Sequence, residues 1–110
     1  MISSAGNTGP ASGTVTCPAH HAETIAVASV GTDGEVAGFS ARGPGWTDAP
    51  AKPDIASYGG SSDGARAITE SIFGPTANGT YSALVGTSMA APLVAGVHAI
   101  QLSAERGGAN

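Results

Sequence analysis

The 110 residues of this sequence suffice for one domain of ordinary size or for part of one. Glycine (17) and alanine (21) make up over a third of the chain and only 11% of residues are charged, so composition favours a closely packed interior of small side chains over disorder. Four Lys and Arg against eight Asp and Glu leave no basic surface, so no nucleic acid partner is expected. No signal peptide or long apolar run is present; no membrane partner is expected, and localisation stays open.

Alternating β-branched residues and turn residues predict a series of short strands in the first half of the chain. A turn at 6–10 ends the first strand, and turn chemistry at 31–34 predicts a hairpin between the second and the third. Three prolines and two glycines in 42–53 preclude regular structure before the last strand. The predicted strands cover residues 1–5, 24–30, 36–40 and 54–56.

The second half of the chain contains the clearest element. Residues 59–80 are rich in Gly and Ser and predict a surface loop, or a short helix within one. Thr87 or Ser88 can then cap a helix that runs to about Glu105, with Gly107 just past its end. The helix is apolar or small nearly all round, which predicts that it is buried, and the rest of the chain offers few large side chains to bury it.

A serine at the start of this helix has two interpretations. Ser88, in Gly86-Thr87-Ser88-Met89-Ala90, is a simple helix cap or a nucleophile whose own N–H faces the oxyanion formed on attack. The second donor of an oxyanion hole could come from Asn7, in Ser4-Ala5-Gly6-Asn7-Thr8-Gly9. An Asn in a Gly-rich turn is usually there for its backbone preferences, but the two motifs together favour the catalytic interpretation.

Four segments together resemble a known enzyme family. GTSMAAPLVAG resembles the nucleophile motif of the subtilisin-like serine peptidases (subtilases), and SSAGNTG resembles their oxyanion-hole motif. FSARGP and KPDIA resemble two further segments of that family, in the same order. The resemblance covers about residues 3–103, except the loop at 59–80.

The resemblance implies a partial α/β fold: the subtilisin-like three-layer arrangement, with a largely parallel sheet and a buried nucleophile helix. It also implies peptide-bond hydrolysis through an acyl-enzyme on Ser88, with Asn7 as oxyanion donor. Ser4, Ala5 and Gly6 would line the substrate pocket. The expected partner is a peptide or protein substrate, and no cofactor or metal is implied for these residues.

A serine needs a base, and subtilases carry their catalytic Asp and His before the oxyanion Asn. Only six residues precede Asn7, none of them acidic or histidine. His98 lies ten residues beyond Ser88 on one helix, roughly 15 Å away at about 1.5 Å per residue. Residues 1–110 are therefore interpreted as the C-terminal part of a subtilase catalytic domain, inactive without the N-terminal part that brings Asp and His.

The remaining titratable residues do not supply a base. His20 and His21 are interpreted as loop residues, and as a pair they are too few ligands for a closed metal site. Cys17 is expected to be a small buried hydrophobe. Asp54 and Asp33 are assigned structural roles.

Three alternatives compete with this interpretation, and the sequence argues against the first two. An α/β-hydrolase places its acid and base after the serine, where only His98 and Glu105 are available. The sedolisins share a GTS-type serine motif but use carboxylate partners. A non-catalytic fragment that binds peptide in a vestigial cleft is the third.

Overall fold

The computed structural model describes residues 1–43, 51–62 and 70–107. Three strands form a parallel sheet in the order β1-β2-β3, with Ile2 of β1 opposite Ile25 of β2 and Val27 of β2 opposite Ile55 of β3. β1 is therefore at one edge of this sheet and β3 at the other. The strands are β1 (Ile2–Ser4), β2 (Ile25–Val30) and β3 (Ile55–Tyr58).

A two-stranded antiparallel hairpin and one helix complete the described elements. The hairpin consists of β4 (Ile72–Pro75) and β5 (Tyr81–Leu84), and the helix is α1 (Thr87–Glu105), which contacts all three strands of the parallel sheet. No helix in the described part of the chain is long and apolar enough to cross a membrane.

The predicted strands 1–5, 24–30 and 54–56 and the helix are confirmed, with small shifts at their ends. The predicted hairpin to 36–40 is reduced to a single antiparallel bridge between Val30 and Val36. The prediction of a loop or short helix at 59–80 was wrong for residues 72–75, which form strand β4. Residues 63–69, like 44–50 of the predicted irregular segment, lie outside the described residues.

Small side chains form the core, as the composition predicts. One buried cluster consists of Ala5, Val15, Ala19, Ala26 and Ala41, all at most 1% exposed. Val15 and Val27 are the largest fully buried side chains among the described residues. Their small volume lets the strands and loops approach closely.

The helix differs from the prediction of a buried helix. Only Thr87 and Ala90 of α1 are buried, whereas Val97 is 57% and Ile100 71% exposed. The reason is that the parallel sheet covers only one side of the helix. Between them lies an apolar groove of about 590 Å³, whose walls include Ile25, Ile55, Leu93 and Val97.

The ion pair between Lys52 and Asp54, just before β3, is hydrogen-bonded to the start of β2. The Lys52 side chain, 1% exposed, donates to the Thr24 carbonyl and to Asp54 Oδ2 at 2.6 Å, and Asp54 Oδ2 also accepts from the Ala26 N–H at 2.7 Å. Partial burial acts to raise the pKa of Asp54, but the hydrogen bonds from Lys52 and Ala26 and the ammonium charge outweigh it. The pKa therefore lies below its ordinary value of 3.8.

We expect Asp54→Ala to lower the free energy of unfolding by about 1 kcal/mol, because it leaves a buried ammonium and an amide without their shared acceptor. The expected loss of stability is small because the Asp54 side chain is 39% exposed and water screens its charge. A lowered carboxyl pKa stabilises the fold above about pH 4 and ceases to do so as pH falls through the folded-state value. Urea denaturation should show the difference from wild type at pH 7 and its disappearance in acid. Glu23→Ala, at an exposed carboxylate, is the control; an equal loss there would contradict the assignment.

Candidate active site

The carboxyl ends of the three parallel strands meet the start of α1. Asn7 comes shortly after β1 and Gly59 directly after β3. The Gly86 N–H donates to the Gly59 carbonyl at 2.9 Å, which holds the first turn of α1 at this edge of the sheet. Loops at the carboxyl ends of parallel strands are the usual position of binding and catalytic residues in α/β folds.

Two glycines make this close approach possible. Gly86 is the residue before the helix and has a φ of 155°, a conformation that favours glycine. A Cβ on Gly59 would collide with the Gly86 carbonyl oxygen and Ser29 Oγ and would lie 3.0 Å from Ala90 Cβ. Gly59 therefore fixes how closely the helix start sits on the sheet.

We expect Gly59→Ala to destabilise the chain by about 1–3 kcal/mol, because the new methyl group meets backbone that must move. The matched control is Gly96→Ala in the middle of α1, where a Cβ meets open space. That change should stabilise the helix by about 0.5–1 kcal/mol. Urea denaturation of both variants measures the two effects; a neutral Gly59→Ala would show that the helix start is not fixed by this contact.

Ser88 is the second residue of α1 and is exposed. Its N–H is one of the first four helix amides, which have no acceptor within the helix. The side chain lines an open groove of about 450 Å³ together with Ser3 and Ser4 of the edge strand β1. A group bound there would meet both the hydroxyl and the positive end of the helix dipole.

The Asn7 side chain is hydrogen-bonded to the helix start through Thr87. Asn7 Oδ1 accepts from the Thr87 N–H at 3.0 Å and from Thr87 Oγ1 at 2.8 Å, while Thr87 Oγ1 accepts from the Gly6 N–H at 3.2 Å. Thr87 is fully buried, whereas Asn7 is exposed, so the bonds of this network are only partly buried. The network fastens the Gly6-Asn7 turn to the residue that precedes Ser88.

These contacts also fix which way the Asn7 amide faces. The Thr87 N–H can only donate, so the atom that it meets must be the amide oxygen. Asn7 Nδ2 then has no protein acceptor among the described residues and lies 3.4 Å from where a Cβ on Gly86 would be. Asn7 thus keeps a side-chain N–H donor close to Gly86, two residues before the exposed Ser88.

Known proteins have a similar sequence and fold. The family model described as the Subtilase family matches residues 1–109. The chain is 36% identical over 108 residues to the membrane-bound transcription factor site-1 protease of Homo sapiens, covering 94% of this chain and 9% of that protein. Against the subtilisin-like protease SBT6.1 of Arabidopsis thaliana it is 33% identical, with the same two coverages. The solved structure of the prenylagaramide maturation protease PagA matches with a TM-score of 0.72 and 30% identity, over 96% of this chain and 34% of that chain.

The chain belongs to the subtilase family. The family is one of serine proteases, and the partial α/β fold with a parallel sheet agrees with its solved members. The chain spans less than a tenth of the length of the two curated subtilases above and about a third of PagA.

Ser4, Ala5 and Gly6, which are expected to line the substrate pocket, differ in their exposure. Ser4 is partly exposed in the groove beside Ser88. Gly6 is partly exposed, and its N–H is bound to Thr87. Ala5 is only 1% exposed, and its side chain belongs to the core cluster.

The structure does not bring a histidine to Ser88 within the described residues. His98 lies on the uninterrupted helix α1 and lines the apolar groove, whereas Ser88 lines the other one. His20 and His21 lie in contact with each other in the turn before β2. Asp54 is engaged by Lys52, so it is not available to orient a base.

Sequence reasoning missed Thr87 and Gly59 as parts of this site. Thr87 was expected at most as a helix cap, but Gly86 occupies the cap position and Thr87 instead holds Asn7. The available signal was a hydroxyl residue directly before the serine. Gly59 offered no signal in one sequence, because its role depends on a contact with Gly86, 27 positions away.

Proposed function

We propose that residues 1–110 are the C-terminal part of the catalytic domain of a subtilase endopeptidase, with Ser88 as nucleophile and Asn7 as oxyanion donor. The observation that supports this proposal is the bond from the Thr87 N–H to Asn7 Oδ1, which fixes the amide oxygen and leaves Asn7 Nδ2 close to Gly86 without a protein acceptor among the described residues. In this proposal the two donors that an oxyanion requires are Asn7 Nδ2 and the Ser88 N–H.

The proposed reaction is acyl transfer through Ser88. Ser88 Oγ attacks the peptide carbonyl carbon while a histidine base takes its proton, and the oxyanion is held by Asn7 Nδ2 and the Ser88 N–H. The C–N bond then breaks, and the amine leaves with the proton from the histidine. Water, activated by the same base, hydrolyses the ester and releases Ser88. Ser4 and Gly6 line the pocket for the substrate side chain, with Ala5 behind them in the core.

The base must come from outside the described residues of this chain. His98 and Ser88 line different grooves, and His20 and His21 lie in the turn before β2. The exposed apolar face of α1 supports the same conclusion, because Val97 and Ile100 need a covering layer that the described residues do not provide. We propose that the partner is the N-terminal part of the catalytic domain, which carries Asp and His and covers this face.

The proposal is tested by peptide hydrolysis. The 110-residue chain should cleave a chromogenic peptide no faster than a blank, and the same chain produced together with the segment encoded upstream of Met1 should turn over. Efficient turnover by the chain alone would overturn the division of the catalytic residues. Peptide binding without turnover in both forms would instead support a non-catalytic, peptide-binding fragment.

A further inference from the structure

One cluster of metal-ligating side chains lies apart from Ser88. Cys17, His20 and His21 occupy the turn between Val15 and the start of β2, in a C-x-x-H-H spacing. The His20 N–H donates to the Thr16 carbonyl at 3.1 Å, which closes a turn around Cys17. The turn brings both histidines to the same side as Cys17, because the ligand atoms of the three residues lie close together.

Cys17 was expected to be buried, and this prediction was wrong. The thiol is exposed, and Cys17 Sγ lies 3.6 Å from His21 Nε2. The two imidazole rings are 4.2 Å apart between centroids and tilted by 33°. The ligand atoms of the three residues all lie within 4.8 Å of one another.

The turn is anchored to the core by two buried side chains. Val15 precedes Cys17, and Ala19 lies between Cys17 and the histidines; both are buried in the core cluster with Ala5. Further bonds from the His21 N–H to Pro18 and from the Thr24 N–H to His21 close the turn toward β2. The three side chains therefore project from a turn that is packed against the core and held by backbone hydrogen bonds.

The spacing fits a tetrahedral zinc ion. With a Zn–S bond of about 2.3 Å and Zn–N bonds of about 2.05 Å, a tetrahedral ion holds its sulfur and nitrogen ligands about 3.6 Å apart. That is the distance observed between Cys17 Sγ and His21 Nε2. A third bond, from His20, would require its ring nitrogen to move closer to the ion, and all three ligand atoms lie within 4.8 Å of one another.

We propose that Cys17, His20 and His21 bind one Zn²⁺ ion, with water as the fourth ligand. A thiolate and two imidazoles are the donors that a borderline-soft ion prefers, whereas Ca²⁺ and Mg²⁺ require oxygen ligands. The bound ion would crosslink positions 17 and 21 and stabilise the turn that leads into β2. The sequence analysis considered only the two histidines, which are too few ligands for a closed metal site. The exposed Cys17 adds a third ligand.

Cobalt spectroscopy tests the site directly. Co²⁺ added to the reduced 110-residue chain should give the thiolate-to-cobalt charge-transfer band and the visible bands of a tetrahedral ion, saturating at one ion per chain. Zn²⁺ should displace the cobalt and abolish the bands. The affinity should fall in acid, because the thiol and both imidazoles must be deprotonated to bind.

Variants separate this site from a simple thiol–imidazole hydrogen bond. Cys17→Ser should abolish the charge-transfer band. His20→Ala and His21→Ala should each weaken Zn²⁺ binding by more than the roughly 10–100-fold typical for a residue that only orients a ligand. His98→Ala, which removes the third histidine of the chain, is the matched control and should leave binding unchanged. No charge-transfer band in wild type, one ion per two chains, or equal weakening by His98→Ala would overturn the proposal.

Discussion

Ser88→Ala should remove peptide hydrolysis from the form of this protein that carries its upstream segment. Loss of the nucleophile in a subtilisin costs about 10⁶ in turnover, and we expect an effect of that size here. The reason is that the remaining groups at the helix start can bind an oxyanion but cannot form the acyl-enzyme. Turnover of a chromogenic peptide is the measurement, with unchanged substrate binding expected.

Ser103→Ala is the matched control for this experiment. Ser103 lies on the same helix and is exposed, about fifteen residues or roughly 22 Å further along its axis. It should retain wild-type turnover. If Ser88→Ala keeps turnover within about tenfold of wild type, where each tenfold is about 1.4 kcal/mol of barrier, Ser88 is not the nucleophile.

Asn7→Asp should lower turnover by about 10²–10³ in the same longer form, the cost of removing one oxyanion donor in subtilisin. The substitution is informative because it separates two functions of one side chain. A carboxylate oxygen can still accept from the Thr87 N–H and Oγ1, so the link to the helix start remains. The donor on Nδ2 is lost, and a negative charge stands where the oxyanion would form.

Two further variants complete the test of Asn7. Asn7→Ala should lose the donor and the link to Thr87, and therefore about 1 kcal/mol of stability in addition to turnover. Asn78→Asp makes the same chemical change in the exposed turn between β4 and β5 and should leave turnover unchanged. Full turnover by Asn7→Asp would contradict the oxyanion assignment; a loss of stability as large as that of Asn7→Ala would show that Asp does not keep the link.

The residues that sequence alone could place are those whose role is local. The start of α1 follows from a glycine, two hydroxyl residues and a long run of small and apolar residues, and the structure begins the helix at Thr87. β2 follows from its β-branched alternation. The motifs around Ser88 and Asn7 identified the family, which the comparisons confirm.

The features that sequence could not place depend on contacts between distant residues. Ile72 and Phe73 lie in a Gly-rich segment without strand periodicity, and they become a strand only because β5 pairs with them. The exposure of α1 reflects how much sheet the described residues provide, which a helical pattern cannot reveal. In the sequence Cys17 is an isolated cysteine, and its proximity to His21 becomes visible only once the backbone turn between them is known.

The central claim is that Ser88 has the position of a nucleophile but lacks a base among these residues, and labelling with a fluorophosphonate tests it most directly. An activated serine oxygen attacks the phosphorus and releases fluoride, and mass spectrometry locates the modified residue. We predict that the 110-residue chain stays unlabelled and that the form with its upstream segment is labelled at Ser88. Labelling of Ser88 at the same rate in both forms, or labelling of another residue in the longer form, would contradict the account.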